Sequence, residues 1–338
     1  MKKKTIYILS FVILFTLISS FFSGVVTYKI MFSKTSRPDY SLTPGLVNYD
    51  EISTRISREK YSFYSNNNLL QGYYYHKDNA KALVVMAHGI KDGADTMLSE
   101  ILYFYDNDFS VFSYDNSGCF DSTGKENGFS QPLIDLHNAL IFLNNHENFK
   151  EYKKCLFGVS VGGYATTALF NIDNFNVLAS VSISGFNDSK EIFFANGKKY
   201  VGPIMYLGKP LASVYIDRKF KHYASYTSKD GINKSNIPFF IANSKDDSIV
   251  SYTNSIAYQK ENITNKNVTY YVVNGYEHVS ILYSNEAIQY QNKVNSEIKK
   301  LHSKQKKKDY IKSVDDDLYS QLNDDLFKKI ILFYNNVI

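Results

Sequence analysis

Three side chains, each just after a short apolar run, have the types and order needed for acyl transfer. Ser160 sits in Gly158-Val159-Ser160-Val161-Gly162-Gly163, directly behind the apolar run 155–157 and ahead of an alanine-containing stretch. Glycines on either side of a serine permit a turn tight enough to hold it strained with its hydroxyl exposed, and Gly158 and Gly162 fill those places. His278 ends Asn274-Gly275-Tyr276-Glu277-His278, behind the run 268–273, and is the candidate general base. Between them, Asn243-Ser244-Lys245-Asp246-Asp247 follows the run 238–242. A carboxylate at that point can hold an imidazole in one tautomer and stabilise its protonated form. Asp246 and Asp247 both compete for this role.

Acyl transfer also needs N–H donors where negative charge develops on the attacked carbonyl. His88-Gly89-Ile90 follows the run 82–87. Gly89 lets backbone come close, so the Ile90 and Val161 amides are the expected donors, with His88 supporting the loop rather than acting as base. The chemistry is then a serine hydrolase. Ser160 attacks a carbonyl, His278 takes its proton, the aspartate orients His278, and water releases the acyl group. No metal or cofactor is implied. A carboxylic ester is the first expectation for the substrate and an amide or peptide the second. A membrane-anchored binding protein on a hydrolase fold stays open as a different class, since fold does not fix function.

Strands and helices must place these residues. The runs 82–87, 111–114, 155–157, 178–183, 238–242 and 268–273 read as buried strands, and 129–145, 161–170, 252–260 and 281–301 as helices. Residues 61–64 and 69–75 flank Ser65-Asn66-Asn67-Asn68 and predict a hairpin. Strand–helix alternation predicts an α/β fold, a mostly parallel sheet covered on both faces, with ligands beyond the carboxyl ends of the strands.

Composition narrows the class further. The chain has 338 residues, 44% of them apolar and 21% charged, which excludes a disordered chain. Four of its five net positive charges lie in residues 1–32, as Lys2, Lys3, Lys4 and Lys29, so no basic face remains for nucleic acid. Cys119 and Cys155 are too few for a disulfide framework or a four-cysteine zinc site and are expected at opposite ends of the sheet, unpaired.

The 24 residues between Lys4 and Lys29 carry no charge, and about 20 apolar residues suffice to cross a bilayer. They predict an uncleaved signal-anchor over 1–32, with a cytoplasmic N-terminus and the rest of the chain outside. The lipid bilayer would be a partner, and a cleaved secretion signal is the alternative. A linker follows over 33–57, then the body over 58–302 with a helical lid near 186–236, then a helical extension over 303–338. In that extension Leu326, Phe327, Ile330, Ile331 and Tyr334 fall at helical spacing, so one face should dock on the body.

Over roughly residues 58–300 these motifs resemble the α/β-hydrolases. The likeness is strongest to the branch holding serine aminopeptidases, monoacylglycerol lipases and membrane-anchored bacterial hydrolases of unassigned substrate. It rests on His88-Gly89, on Tyr114-Asp115-Asn116-Ser117-Gly118-Cys119-Phe120-Asp121-Ser122-Thr123-Gly124, on the Gly158–Gly163 motif and on the late Gly275-Tyr276-Glu277-His278. The family's D-x-x-V register selects Asp247, followed by Ser248, Ile249 and Val250, over Asp246. Ser117 stands where the family has an arginine and Phe120 where it has a glycine, which puts that loop's conformation in question.

Overall fold

The computed structural model describes residues 2–338, apart from the side chains of Lys2, Leu17, Ser20, Ser23, Gly24, Thr27, Ile30, Tyr200, Val201 and Ile204. Eight strands form one sheet: β1 (Glu59–Ser65), β2 (Asn68–Tyr75), β3 (Leu83–Ala87), β4 (Ser110–Tyr114), β5 (Lys154–Val159), β6 (Val177–Ile183), β7 (Phe239–Ser244) and β8 (Val268–Val273). Their order across the sheet is β1-β2-β4-β3-β5-β6-β7-β8. β1 and β2 form the expected hairpin, its turn eased by Asn66 in the left-handed region at φ 52°, and β2 runs antiparallel to β4. Every pairing from β4 through β3 to β8 is parallel.

A parallel sheet is buried on both faces, which is why β3, β4, β5 and β7 are buried at every position instead of at alternate ones. The longer helices are α1 (Lys2–Met31), α2 (Leu98–Asp106), α3 (Gln131–Asn145), α4 (Val161–Ala168), α5 (Ser189–Val201), α6 (Lys209–Phe220), α7 (Ser228–Lys234), α8 (Asn285–Lys300) and α9 (Asp324–Asn335). α3 and α4 bury Leu133, Leu136, Leu140, Tyr164 and Ala165 on one face. α2 and α9 bury Ile101, Phe104, Phe327 and Tyr334 on the other. Residues 252–260, expected as α-helix, form two short 3-10 turns instead, Tyr252–Asn254 and Ala257–Asn262.

One expectation is corrected. Among the described residues no helix is long and apolar enough to cross a membrane. This overturns the signal-anchor over 1–32, the bilayer as partner and the single-pass placement of the body outside. The physical reason visible at the C-terminal end of α1 is that its aromatic residues serve the protein's own interior. Tyr28 and Phe32 are buried, with ring centroids 5.3 Å from Phe193 for Tyr28 and 4.9 Å from Phe129 for Phe32. Upstream, Ile6, Leu9, Phe11 and Phe15 are exposed.

Residues beyond α1, read as a linker, are fastened to the body. The Thr35 amide donates to the Gly118 carbonyl at 2.9 Å, and Phe120 N–H donates back to the Thr35 carbonyl at 2.9 Å. Arg37 pairs with Asp95 and Asp121, and Arg58, stacked over Tyr49, joins it on Asp95. Thus two guanidinium groups neutralise one buried carboxylate and tie the N-terminal segment to the loop after β3.

The five apolar residues picked out in the extension all lie buried on one face of α9. Asn323 caps the helix through the Leu326 amide, and the Tyr334 hydroxyl donates to the Leu156 carbonyl of β5 at 2.7 Å. Phe327 packs among Tyr103, Phe104 and Phe157. Truncating a buried phenylalanine removes its transfer free energy and leaves a cavity. Phe327→Ala should therefore lower stability by about 3–5 kcal/mol in urea unfolding; a change below about 1 kcal/mol would show that α9 is not part of the folded body.

Candidate active site

Backbone pressed on backbone builds the serine turn. Ser160 lies between β5 and α4 with φ 56° and ψ −116°, a region that a residue with a Cβ adopts only when its surroundings force it. The surroundings do so. A Cβ on Gly158 would stand 2.3 Å from the Gly162 carbonyl oxygen, and one on Gly162 would stand 2.0 Å from that of Ala87. Only glycine lets β3, β5 and the start of α4 come this close. The Ser160 amide still donates to Ile183 of β6 at 2.8 Å, so the turn is locked to the sheet.

The three predicted side chains meet. His278 Nε2 is 2.8 Å from Ser160 Oγ, and His278 Nδ1 is 2.7 Å from Asp247 Oδ2. The other oxygen of Asp247 accepts the Ile249 and Val250 amides, both at 2.8 Å, which fixes the carboxylate's plane. Asp246 turns away and accepts the Gly275 amide at 2.6 Å, so it braces the histidine loop instead of the ring. The Ser184 hydroxyl donates to the His278 carbonyl at 2.6 Å. Ser160 and Asp247 are buried, while His278 keeps a partly open edge.

The expected donors flank Ser160. Val161 is the first residue of α4, where a helix leaves its N–H groups without intrahelical partners and presents its positive end. Gly89 and Ile90 line the same cleft as Val161, and a Cβ on Gly89 would stand 3.9 Å from that of Ser160. His88 lies behind this loop and is fully buried. Its Nδ1–H donates to the Gly89 carbonyl at 2.7 Å and its Nε2 accepts the Asn116 amide at 2.9 Å. Burial pushes its pKa down to about 4, so it is a neutral spacer between β3 and the loop after β4.

That second loop answers the question raised by Ser117. Its amide and hydroxyl both donate to the buried Asp135 carboxylate, at 2.8 and 2.9 Å, with Ser65 and Gln131 completing the shell. Asp115 likewise collects the Ala94 amide at 2.7 Å and the Asp121 amide at 3.2 Å. Neutral donors wrap these two carboxylates, and Arg37 holds the far end of the loop through Asp121. Cys119 and Cys155 are free and buried.

The segment 186–236, expected as a lid, carries α5, α6 and α7 together with the short helix Ile204–Leu207. Phe193, Phe194, Met205 and Ile216 are buried, whereas Tyr206 and Leu207 are exposed; the side chains of Tyr200, Val201 and Ile204 lie outside the described residues. Among the described residues no cluster of histidine, cysteine and acidic side chains is arranged to hold a metal.

Sequence reading missed several residues around the site: Phe32, Asp92, Glu100, Asn116 and Glu126. Asp92 and Glu100 line a second cavity, of ≈ 380 Å³, that reaches from Gly89 and Val279 to the N-terminal segment. Burial pushes both carboxyls up to about 7, with Glu126 adding to the rise at Asp92 and Asp92 to that at Glu100. Asp92 lies in the turn after β3 and Glu100 in the first turn of α2, where a carboxylate is ordinary, so no local pattern marks them.

Comparisons with known proteins agree with this architecture. Residues 78–215 match the family described as serine aminopeptidase, S33. Among solved structures the chain is similar to an esterase of Pyrococcus furiosus, Pf2001, at 17% identity and a TM-score of 0.56, over 80% of this chain and 100% of that one. It is also similar to a 2,6-dihydroxy-pseudo-oxynicotine hydrolase, at 14% identity and a TM-score of 0.50, over 68% of this chain and 65% of that one. No curated protein matches. The fold is that of the α/β-hydrolases.

Glu100 makes a direct test of the buried carboxyls. Its folded pKa lies above its unfolded value, so its contribution to stability is present in acid and is lost as pH rises through about 7. Glu100→Gln removes the charge that must otherwise be buried at high pH. The variant should match the parent's stability near pH 4.5 and exceed it at pH 8, by a few kcal/mol at most, on chemical unfolding at both pH values. A variant less stable than the parent at pH 8 would contradict this.

Proposed function

We propose that the protein is a serine hydrolase that cleaves a carboxylic ester through an acyl-enzyme. The observation that carries this reading is the unbroken hydrogen-bonded chain Asp247–His278–Ser160 on a strained turn at the carboxyl ends of the strands. Ser160 Oγ attacks the substrate carbonyl carbon as His278 Nε2 takes its proton. The Ile90 and Val161 amides receive the developing oxyanion, and imidazolium formed on His278 is stabilised by Asp247, which stays ionised. His278 then returns the proton to the departing alkoxide. A water, activated by the same nitrogen, attacks the acyl carbon and frees Ser160.

The ester is preferred because an alkoxide leaves with less assistance than an amine. The similarity to a serine aminopeptidase family over 78–215 supports an amide or peptide bond as the second reading. The test is turnover of p-nitrophenyl esters by the full chain and its variants. Ser160→Ala and His278→Ala should lose essentially all turnover. Asp247→Asn, which leaves the shape but favours the wrong tautomer, should lower kcat by roughly 10,000-fold. Hydrolysis that survives Ser160→Ala would refute the reading, and peptide turnover without ester turnover would select the second one.

A further inference from the structure

The cavity of ≈ 380 Å³ is large enough for a small molecule, since such pockets run from about 300 to 1,000 Å³. It lies behind the oxyanion loop, not at the triad. Gly89 borders it on one side and Tyr283 on another, and the N-terminal segment contributes Leu46.

Three carboxylates border this cavity, Asp92, Asp95 and Glu100, and they differ in how they are neutralised. Asp95 is paired with both Arg37 and Arg58. Among the described residues Asp92 and Glu100 have no such partner: the titratable neighbours acting on them are Glu126 and His278 at Asp92, and Asp92 at Glu100. Lys91 also borders the cavity, yet it is exposed and forms an ion pair with neither. Glu100 is 3% exposed, and its Oε2 has no hydrogen-bond partner. Asp92 Oδ2 stands 2.7 Å from where a Cβ on Gly89 would be, directly against the oxyanion loop.

A carboxylate taken from water without a counter-ion loses its hydration and gains nothing back, so burial lifts both groups to about 7. A cation at this wall would remove that cost. Tyr283 and Tyr319 border the same space, and an aromatic ring attracts an ammonium group over its face. The remaining wall includes Leu46, Met97 and Leu282, which suit a carbon chain rather than a hydrated metal ion. Among the described residues no cluster is arranged to hold a metal, which also favours an organic cation.

We propose that this cavity is a binding site for a small aliphatic amine, with its ammonium group received by Asp92 and Glu100 and its carbon chain by the apolar wall. The site asks nothing of Ser160 or His278, so it stands or falls separately from the ester reading.

The experiment is isothermal titration calorimetry of the full chain at pH 8 with 1,4-diaminobutane, and with 1,4-butanediol as the neutral molecule of the same length. The diamine should bind with a dissociation constant on the order of 1 mM, and the diol at least about tenfold more weakly, the worth of one hydrogen bond to a charged group. Asp92→Asn and Glu100→Gln keep the shape of the wall and remove its charge. Each should weaken the diamine by about tenfold and leave the diol unchanged. No saturable binding of the diamine below about 10 mM would overturn the site. So would a diol that binds as well as the diamine, or a diamine affinity that either folded variant leaves unchanged. The comparison of diamine with diol on the wild-type chain decides the matter of charge even where a variant fails to fold.

Discussion

Contact between backbones at the head of the sheet is the constraint on which the site depends. The Ala87 carbonyl at the end of β3 lies where a side chain on Gly162 would go, and the Gly162 carbonyl fills the same place beside Gly158. With no room for a Cβ at either position, β3, β5 and α4 close on one another, and the chain between them must turn through Ser160 at positive φ. The strain at one residue is borne by a sheet whose strands are buried on both sides. The same closeness brings the start of α4, with its free N–H groups, alongside Gly89 and Ile90.

Around this turn the protein controls charge by burial and by neutral donors. His88 is kept uncharged between two loops, and Asp115 and Asp135 are wrapped by amides and hydroxyls. The ion pairs stand farther out, where Arg37 and Arg58 meet Asp95 and fasten the N-terminal segment. That segment then supplies Phe32 to a cleft beside Gly89 and Ile90, and Ser36, Pro38 and Thr43 through Val47 to the wall of the 380 Å³ cavity. Residues ahead of the α/β body in this way line the hollows around the oxyanion loop.

The parts of this arrangement legible in the sequence are those that local rules determine. Apolar runs marked β3 to β7 closely because that part of the sheet is buried on both faces, and β8 by its β-branched and aromatic residues although it is only half-buried. The glycines around Ser160 and the strand-end positions of Asp247 and His278 carried the candidate site, and the geometry brings those residues together. Helix α2, which the alternation implied but no residue range named, has an amphipathic stretch of only nine residues. Residues 252–260 have helical composition but are held to 3-10 turns, in part by Asn243, which accepts the Ala257 amide. The uncharged stretch near the N-terminus predicted a span because composition alone cannot tell aromatic residues bound for the protein's core from those bound for lipid. Phe32, Glu100, Asn116 and Glu126 went unseen because each gains its meaning from a neighbour far away in sequence.

The central claim is that a covalent acyl group passes through Ser160. It is tested most directly by acid-quenching the full chain during turnover of a p-nitrophenyl ester and weighing its peptides. The account predicts a mass increase equal to the acyl group on the peptide containing Ser160, formed at the rate of the p-nitrophenol burst and absent in Ser160→Ala. Steady turnover with that peptide unmodified, or with the acyl group on another residue, would contradict it.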